Sequence, residues 1–366
     1  MKIQILLPCV LLFCTINGAL KAQNTKPAGR YKSDSITYSN ANNSIRFGAT
    51  LTLPDTKKPC PAVIIVSGTG KQDRDGTMAG HKVFAAIADY LSARGVAVLR
   101  VDDRGAGLTT GVYETSTTAD FADDVLAGIS YLKSRKEIDP KKIGLLGHSE
   151  GGAVISIVAS ESKDVDFLVS IAGLASSGLD ALRKQNADLI ANSPLQDYDK
   201  RRSNEINNMM FDTVYAYANS PKLEQKITAT YATWKKKDDE YFKTLNVKFD
   251  HFRFPIYNYT RTATGAWYRY FIKYDPANYL PKVKVPILAL NGDKDLMVAC
   301  QENLANWKKY PAMGGNKKVT TIVLPGVNHL FQHCKTCTNQ EIAQLNETFD
   351  MEALQLIDNW INEQLK

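Results

Sequence analysis

The chain has 366 residues, 45 Lys and Arg against 38 Asp and Glu, a formal net charge of +7, and 44% hydrophobic residues. That length accommodates one large α/β core with an insertion, or two domains, and either buries a full core. The small positive excess is spread among interspersed acids, which excludes the basic footprint of a nucleic-acid-binding protein.

Lys2 supplies a positive start, and Ile3 to Ile16 is an apolar run broken only by Gln4, Pro8 and Thr15, the pattern of a secretory signal peptide. A bilayer span needs roughly 20 apolar residues; this run is shorter and no later stretch approaches that length, so no integral membrane segment is expected in the mature form. Cleavage after Ala22 puts a small residue at one required site, although Leu20 is large at the other, and bulky Phe13 argues against a lipid anchor on Cys14. The expected location is secreted or periplasmic. Removal of residues 1–22 leaves 344 residues and a charge of +5, because Lys2 and Lys21 leave and no acid leaves with them. Four cysteines remain, Cys60, Cys300, Cys334 and Cys337, too few for a disulfide scaffold but enough for one or two bridges in an oxidising compartment.

Ser35 to Tyr38, Ile45 to Leu53 and the continuous apolar run Ala62 to Val66 read as strands, the last of them buried on both faces. The chain then alternates: helix Val83 to Arg94, strand Ala97 to Val101, helix Ala119 to Lys133, strand Lys142 to Leu146, helix Gly152 to Ser160, strand Phe167 to Ile171. This is the pattern of a mostly parallel sheet with helices on both faces. The alternation stops between Ala175 and Pro281, where the sequence is polar and helix-periodic. It resumes with strand Val285 to Leu290, helix Gln301 to Lys309, strand Thr320 to Leu324 and helix Met351 to Gln364. The expected organisation is therefore an α/β core over 23–175 and 282–366, interrupted by a helical cap over 176–281 at the sheet edge where ligands bind in such folds. The run Lys235 to Glu240 reads as a solvated helix face.

Gly147-His148-Ser149-Glu150-Gly151 lies between a strand and a helix. A residue on so sharp a turn has strained backbone angles, and small neighbours two positions either side let the chains pass closely; the turn lifts the serine hydroxyl above the sheet, near a helix N-terminus. A serine nucleophile needs a base and an acid to orient it, in the chain order Ser, acid, His for this topology. Of the five histidines, His329 comes directly off the last predicted strand through Pro325-Gly326-Val327-Asn328; His333 reads as a surface residue. The acid should follow the preceding strand, where Asn291-Gly292-Asp293-Lys294-Asp295 offers two carboxylates. Asp295 is the better candidate, since Asp293 sits within the turn and can be satisfied by local backbone amides. An oxyanion site needs two backbone N–H groups, here those of Glu150 and of Thr69 in the loop Ser67-Gly68-Thr69-Gly70.

These five motifs together give the chain a resemblance to the bacterial α/β-hydrolase esterases related to dienelactone hydrolases and to the catalytic domains of prolyl oligopeptidases. The resemblance rests on Ser67 to Gly70 with Gln72 to Asp75 following, Asp102 to Gly107, Gly147 to Gly152, Gly292 to Asp295, and Pro325 to His329. It implies the α/β-hydrolase fold, no cofactor, and Asp103 and Arg104 as a structural pair in the loop behind the nucleophile. The chain departs from the family at Ala299, where proline is common, and at Cys300, Cys334 and Cys337. Zinc at His333, Cys334 and Cys337 is not expected, because a second ligand pair is absent. Cys300 has two candidate partners in Cys334 and Cys337, which have each other as a local alternative.

The expected chemistry is hydrolysis of carboxylic esters of small to medium acyl groups through an acyl-enzyme, with a small-molecule ester as partner and Trp267, Tyr268, Tyr270 and Phe271 of the cap contacting the substrate. The alternatives are an aminopeptidase-like serine peptidase or an acyl thioesterase; roughly 120 residues ahead of Ser149 leave no room for the β-propeller of a prolyl oligopeptidase. A hydrolase fold used only for binding need not keep nucleophile, acid and base together.

Overall fold

The computed structural model describes residues 30–366; the expected signal segment lies outside the described residues. Its strands are β1 (Tyr31–Ser39), β2 (Arg46–Pro54), β3 (Cys60–Val66), the short β4 (Thr77–Met78) and β5 (His81–Lys82), β6 (Ala97–Val101), β7 (Ile138–His148), β8 (Phe167–Ile171), β9 (Ile287–Gly292) and β10 (Val319–Leu324). Eight of them form one sheet in the order β1-β2-β6-β3-β7-β8-β9-β10, parallel from β6 onward with two antiparallel strands at one edge. The helices are α1 (Val83–Ser92), α2 (Thr118–Lys133), α3 (Gly151–Glu161), then α4 (Gly178–Ala191), α5 (Asp197–Tyr217), α6 (Leu223–Lys243), α7 (Ile256–Ala263) and α8 (Ala266–Phe271), and finally α9 (Cys300–Met313), α10 (Asn339–Ile342) and α11 (Met351–Gln364).

The apolar run of β3 follows from its two covered faces. Ala62, Ile64 and Val66 point into a layer with Val125 of α2, Val154 of α3 and Leu304 of α9, whereas Val63 and Ile65 point the other way, among Ile87 of α1 and Ile357 of α11. A strand with solvent on one side would alternate with polar residues instead. From β3 the chain passes to β6 on one side and then returns to β7 on the other. The strand order therefore reverses at the carboxyl ends of β3 and β7, the place where open α/β sheets bind ligands.

Helices α4 to α8 leave the sheet after β8 and rejoin it before β9. The two ends of this segment touch: Gly178 N–H donates to the Tyr274 carbonyl at 2.9 Å, and a Cβ on Gly178 would lie 1.7 Å from the Phe271 carbonyl oxygen, so the contact requires glycine. The segment has its own apolar cluster, with Ile206, Met210, Trp234 and Tyr268 at its centre.

The run Lys235 to Glu240, expected to be solvated, is so only in part. Asp238 is buried because Arg202 of α5, itself buried, donates to both of its oxygens at 2.7 Å. Asp250 and Asp199 also pair with this guanidinium, whose hydrogen bonds hold the Asp250 carboxyl down at about 2. Removing one member of a buried ion cluster strands the others without compensation. Arg202→Ala should accordingly destabilise the fold by about 3–5 kcal/mol, read as a lowered denaturation midpoint; a loss below about 1 kcal/mol would show that the three carboxylates find water instead.

Candidate active site

Ser149 occupies the turn between β7 and α3 with φ of 56°, in the left-handed region that costs a non-glycine residue energy. Its neighbours explain the glycines. A Cβ on Gly147 would lie 2.4 Å from the Gly151 carbonyl oxygen, and one on Gly151 would lie 2.4 Å from the Val66 carbonyl oxygen. The turn is held from the adjacent strand, Ser149 N–H donating to Ile171 O at 3.3 Å, and by Leu174 N–H donating to Ser149 O at 2.9 Å.

Asp295 and His329 meet beside it. Asp295 Oδ2 lies 2.8 Å from His329 Nδ1, with the carboxylate side chain fully buried and the imidazole 14% exposed. The other oxygen, Oδ1, accepts from the N–H groups of Met297 (2.7 Å) and Val298 (2.9 Å), and Asn291 Nδ2 donates to Oδ2 at 3.0 Å. Asp293 is satisfied differently from expectation: its Oδ1 accepts from Gly326 N–H at 2.7 Å, across in the loop that carries His329. That loop is shaped by Asn328, whose Oδ1 accepts from Leu330 and Gln332 N–H groups, and by Phe331 at φ of 59°.

Sequence reasoning passed over His148. It is buried, which pushes its imidazole down to about 3 and keeps it neutral, and its Nε2 donates to the His329 carbonyl at 3.1 Å. Asn291 and Asn328 were likewise missed. The available signal was a polar residue ending an apolar strand and another immediately before the candidate base.

The loop after β3 runs so close to the nucleophile that a Cβ on Gly68 would lie 2.8 Å from Ser149 Cβ. Among the described residues, the N–H groups of Thr69 and Glu150 make no backbone hydrogen bond, which leaves both available to an oxyanion. Asp103 braces this loop, accepting from Ser67 Oγ at 2.6 Å and Gln72 N–H at 2.7 Å, and burial raises its carboxyl to about 7. Tyr113 Oη accepts from Gly70 N–H at 2.7 Å. Arg104 pairs with Asp124 and Asp120 of α2 rather than with Asp103.

Ser149, His329, Thr69 and Glu150 line one cavity of about 430 Å³. Its remaining wall is mostly apolar, with Leu174, Met297 and Leu330 from the core and Leu182, Trp267 and Phe271 from the inserted helices. Two expected wall residues lie elsewhere. Tyr268 is buried in the apolar cluster of the insertion beside Tyr259, and Tyr270 Oη sits 3.4 Å from Tyr279 Oη. Successive residues of a helix point about 100° apart, so Trp267 and Phe271, four apart and stacked at 4.9 Å, share the cavity face while the residues between them turn away.

The cysteines take the local alternative: Cys334 and Cys337 form a disulfide, and Cys60 and Cys300 are buried free thiols. With both sulfurs in that bond, neither is a thiolate for a metal. His333 is exposed as expected and faces Glu347 at 3.1 Å. No helix among the described residues is long and apolar enough to cross a membrane.

A strand-turn-helix serine, an acid and a histidine on successive strand ends, and a parallel sheet beneath them are the features on which a match to known proteins can be judged. A family model described as alpha/beta hydrolase fold matches residues 61–336. The chain belongs to the α/β-hydrolase fold family. Among members of that family it is 25% identical over 283 residues to esterase EstD of Thermotoga maritima, an alignment that takes in 76% of this chain and 57% of EstD. The chain thus spans little more than half the length of that relative. Among solved structures it is similar to the Pyrococcus furiosus esterase Pf2001, with a TM-score of 0.53, 13% identity and 92% of both chains covered. It is also similar to the α/β hydrolase GrgF from a Penicillium species, with a TM-score of 0.52, 16% identity, and 91% and 96% coverage. At these identities the two structures speak to the fold.

Proposed function

We propose that this α/β hydrolase cleaves carboxylic esters of small to medium acyl groups through an acyl-enzyme on Ser149. The observation that carries the reading is that His329, which lines the same cavity as Ser149, has its Nδ1 held 2.8 Å from the buried Asp295 behind it. Asp295 fixes the tautomer with the proton on Nδ1, which leaves Nε2 able to take a proton. Ser149 Oγ attacks the ester carbonyl as its proton passes to His329, and the negative charge forming on the carbonyl oxygen is met by the N–H groups of Thr69 and Glu150. Collapse breaks the bond to the alcohol, which departs with the proton from His329. Water, deprotonated by the same imidazole, then releases the acid and restores the serine. The reactants, acid and alcohol balance with no cofactor in any step. The esterase name of EstD supports the same chemistry.

An aminopeptidase-like enzyme needs a carboxylate open to the ammonium of its substrate. Among the described residues Glu150 is the one acid on the cavity wall, and both of its oxygens already accept from Thr69, Thr118 and Trp267. This favours the ester reading over the peptidase. Export to an oxidising compartment is part of the proposal, and the Cys334–Cys337 disulfide is consistent with it.

The test is a panel of p-nitrophenyl esters from acetate to palmitate beside an aminoacyl p-nitroanilide. Each methylene buried against the apolar wall contributes roughly 0.8 kcal/mol, so kcat/KM should rise about fourfold per methylene until the cavity is full and then drop sharply. Flat activity along the panel, a preference for palmitate, or faster cleavage of the anilide would each overturn the assignment.

A further inference from the structure

The side chain of Glu150 has no part in the chemistry above, yet it is almost completely buried, and burial raises its carboxyl from the ordinary range. It touches three separate parts of the molecule. Oε2 accepts from Thr69 Oγ1 at 2.7 Å, on the loop that follows β3. Oε1 accepts from Thr118 Oγ1 at 2.7 Å, in the first turn of α2, and from Trp267 Nε1 at 2.8 Å, on α8 of the inserted helices. A buried carboxylate with three donors is costly to disturb: Glu150 itself and Thr118 are buried and have no water to replace the lost bond, whereas Thr69 is exposed and Trp267 half-buried, so what those two lose is chiefly their fixed position.

Resting on the esterase reading, we propose that Glu150 is a positioning residue that sets the place of the Thr69 N–H in the oxyanion site and makes that place depend on the seating of Trp267. The other braces of the loop act on its flanks: Asp103 holds Ser67 and Gln72, and Tyr113 holds Gly70. Glu150 alone of these grips residue 69 itself. Because its own backbone N–H is the second donor, one residue ties the two donors to each other. The indole N–H reaches the same carboxylate from a helix that also walls the acyl cavity, so the helices that contact the acyl group and the loop that contacts the carbonyl oxygen share one anchor.

The geometry also says which replacement should work. In Glu150→Gln the amide oxygen can accept from Trp267 and Thr118 while the amide N–H donates to Thr69 Oγ1, whose hydroxyl accepts equally well. Glu150→Leu keeps the bulk and loses all three contacts. An ångström-scale shift of a transition-state donor costs up to about 100-fold, so Glu150→Leu should lower kcat on p-nitrophenyl acetate, and the rate of Ser149 phosphonylation by diisopropyl fluorophosphate, by about 10- to 100-fold. KM for acetate, whose acyl group barely enters the cavity, should change less than about twofold, and Glu150→Gln should recover most of the loss.

Thr69→Val and Trp267→Phe each cut one arm and keep the packing. Each should slow both rates severalfold with KM for acetate unmoved, and neither should slow them further in the Glu150→Leu background, the non-additivity expected of one connected unit. Wild-type-like rates in both single variants would overturn the proposal even if Glu150→Leu failed to fold. So would losses that multiply with Glu150→Leu, or a Glu150→Gln as slow as Glu150→Leu. The phosphonylation rate separates this from the parent reading: a wild type that labels at Ser149 but turns over no ester defeats the esterase assignment while the coupling is still read from labelling.

Discussion

Ser149→Ala should abolish covalent labelling by a fluorophosphonate and lower kcat by about 10⁴-fold or more, with an unfolding midpoint close to that of the parent. The first part follows from Ser149 being the hydroxyl that the turn presents to the cavity beside His329. The second follows from what the hydroxyl does not do. The turn is held by the backbone of residue 149, through Ile171 and Leu174, and alanine keeps that backbone and the same cost at positive φ. Surface-like substitutions that break no buried contact shift stability by about 0.5 kcal/mol or less. Labelling that persists in the variant, located by peptide mass spectrometry, would assign the nucleophile to another residue.

Asp295→Asn should be nearly as damaging to kcat, by about 10⁴-fold, with little change in fold. The amide oxygen can keep the Met297 and Val298 N–H groups that now bind Oδ1. The amide nitrogen then faces His329 Nδ1 and Asn291 Nδ2, both donors in the parent. Donor against donor drives the imidazole to the tautomer with its proton on Nε2, where it cannot take one from Ser149. Asp293→Asn keeps an acceptor for Gly326 N–H, costing about 1 kcal/mol or less and under about tenfold in rate. Steady-state kinetics on the two variants decide between the carboxylates, and a reversed order would move the acid to position 293.

What could be read from the residues in order was what local covalent geometry enforces. The turn at Ser149 demands small residues at 147 and 151 because carbonyl oxygens pass within contact of both, and that demand is written in adjacent letters. The strands were legible because a sheet covered on both faces needs unbroken apolar runs, as β3 and β9 have. Asp295 and His329 were legible as partners through chain order, each lying just beyond a strand end.

Relations between distant positions were not legible. Asp238 looks like one of six charges on a helix until Arg202, 36 residues earlier, takes it into the interior. Glu150 looks like the residue after a nucleophile until Trp267, 117 residues on, donates to it. The facing of Tyr268 and Tyr270 depends on the register of a six-residue helix, too short for periodicity to fix its angle against the sheet. The choice of Cys334–Cys337 over a bridge from Cys300 turned on loop shape, and Cys300 is instead buried at the start of α9 with Sγ toward the Asn291 carbonyl.

The junction at Gly178 and Tyr274 bears on how such a protein diversifies. A stretch of nearly a hundred residues starts and finishes at one spot, closed by a 2.9 Å hydrogen bond, while the strands on either side, β8 and β9, pair directly with each other. The sheet therefore does not register how long the excursion between them is or what it contains. Lengthening, shortening or replacing it leaves the strand pairing as it is, whereas a replacement that drops Trp267 also takes a donor from Glu150 beside the serine turn. The inserted helices can thus change in length without a change in the sheet, but they meet the site at Trp267 and Glu150 as well as at this junction, where the surrounding backbone tolerates only glycine.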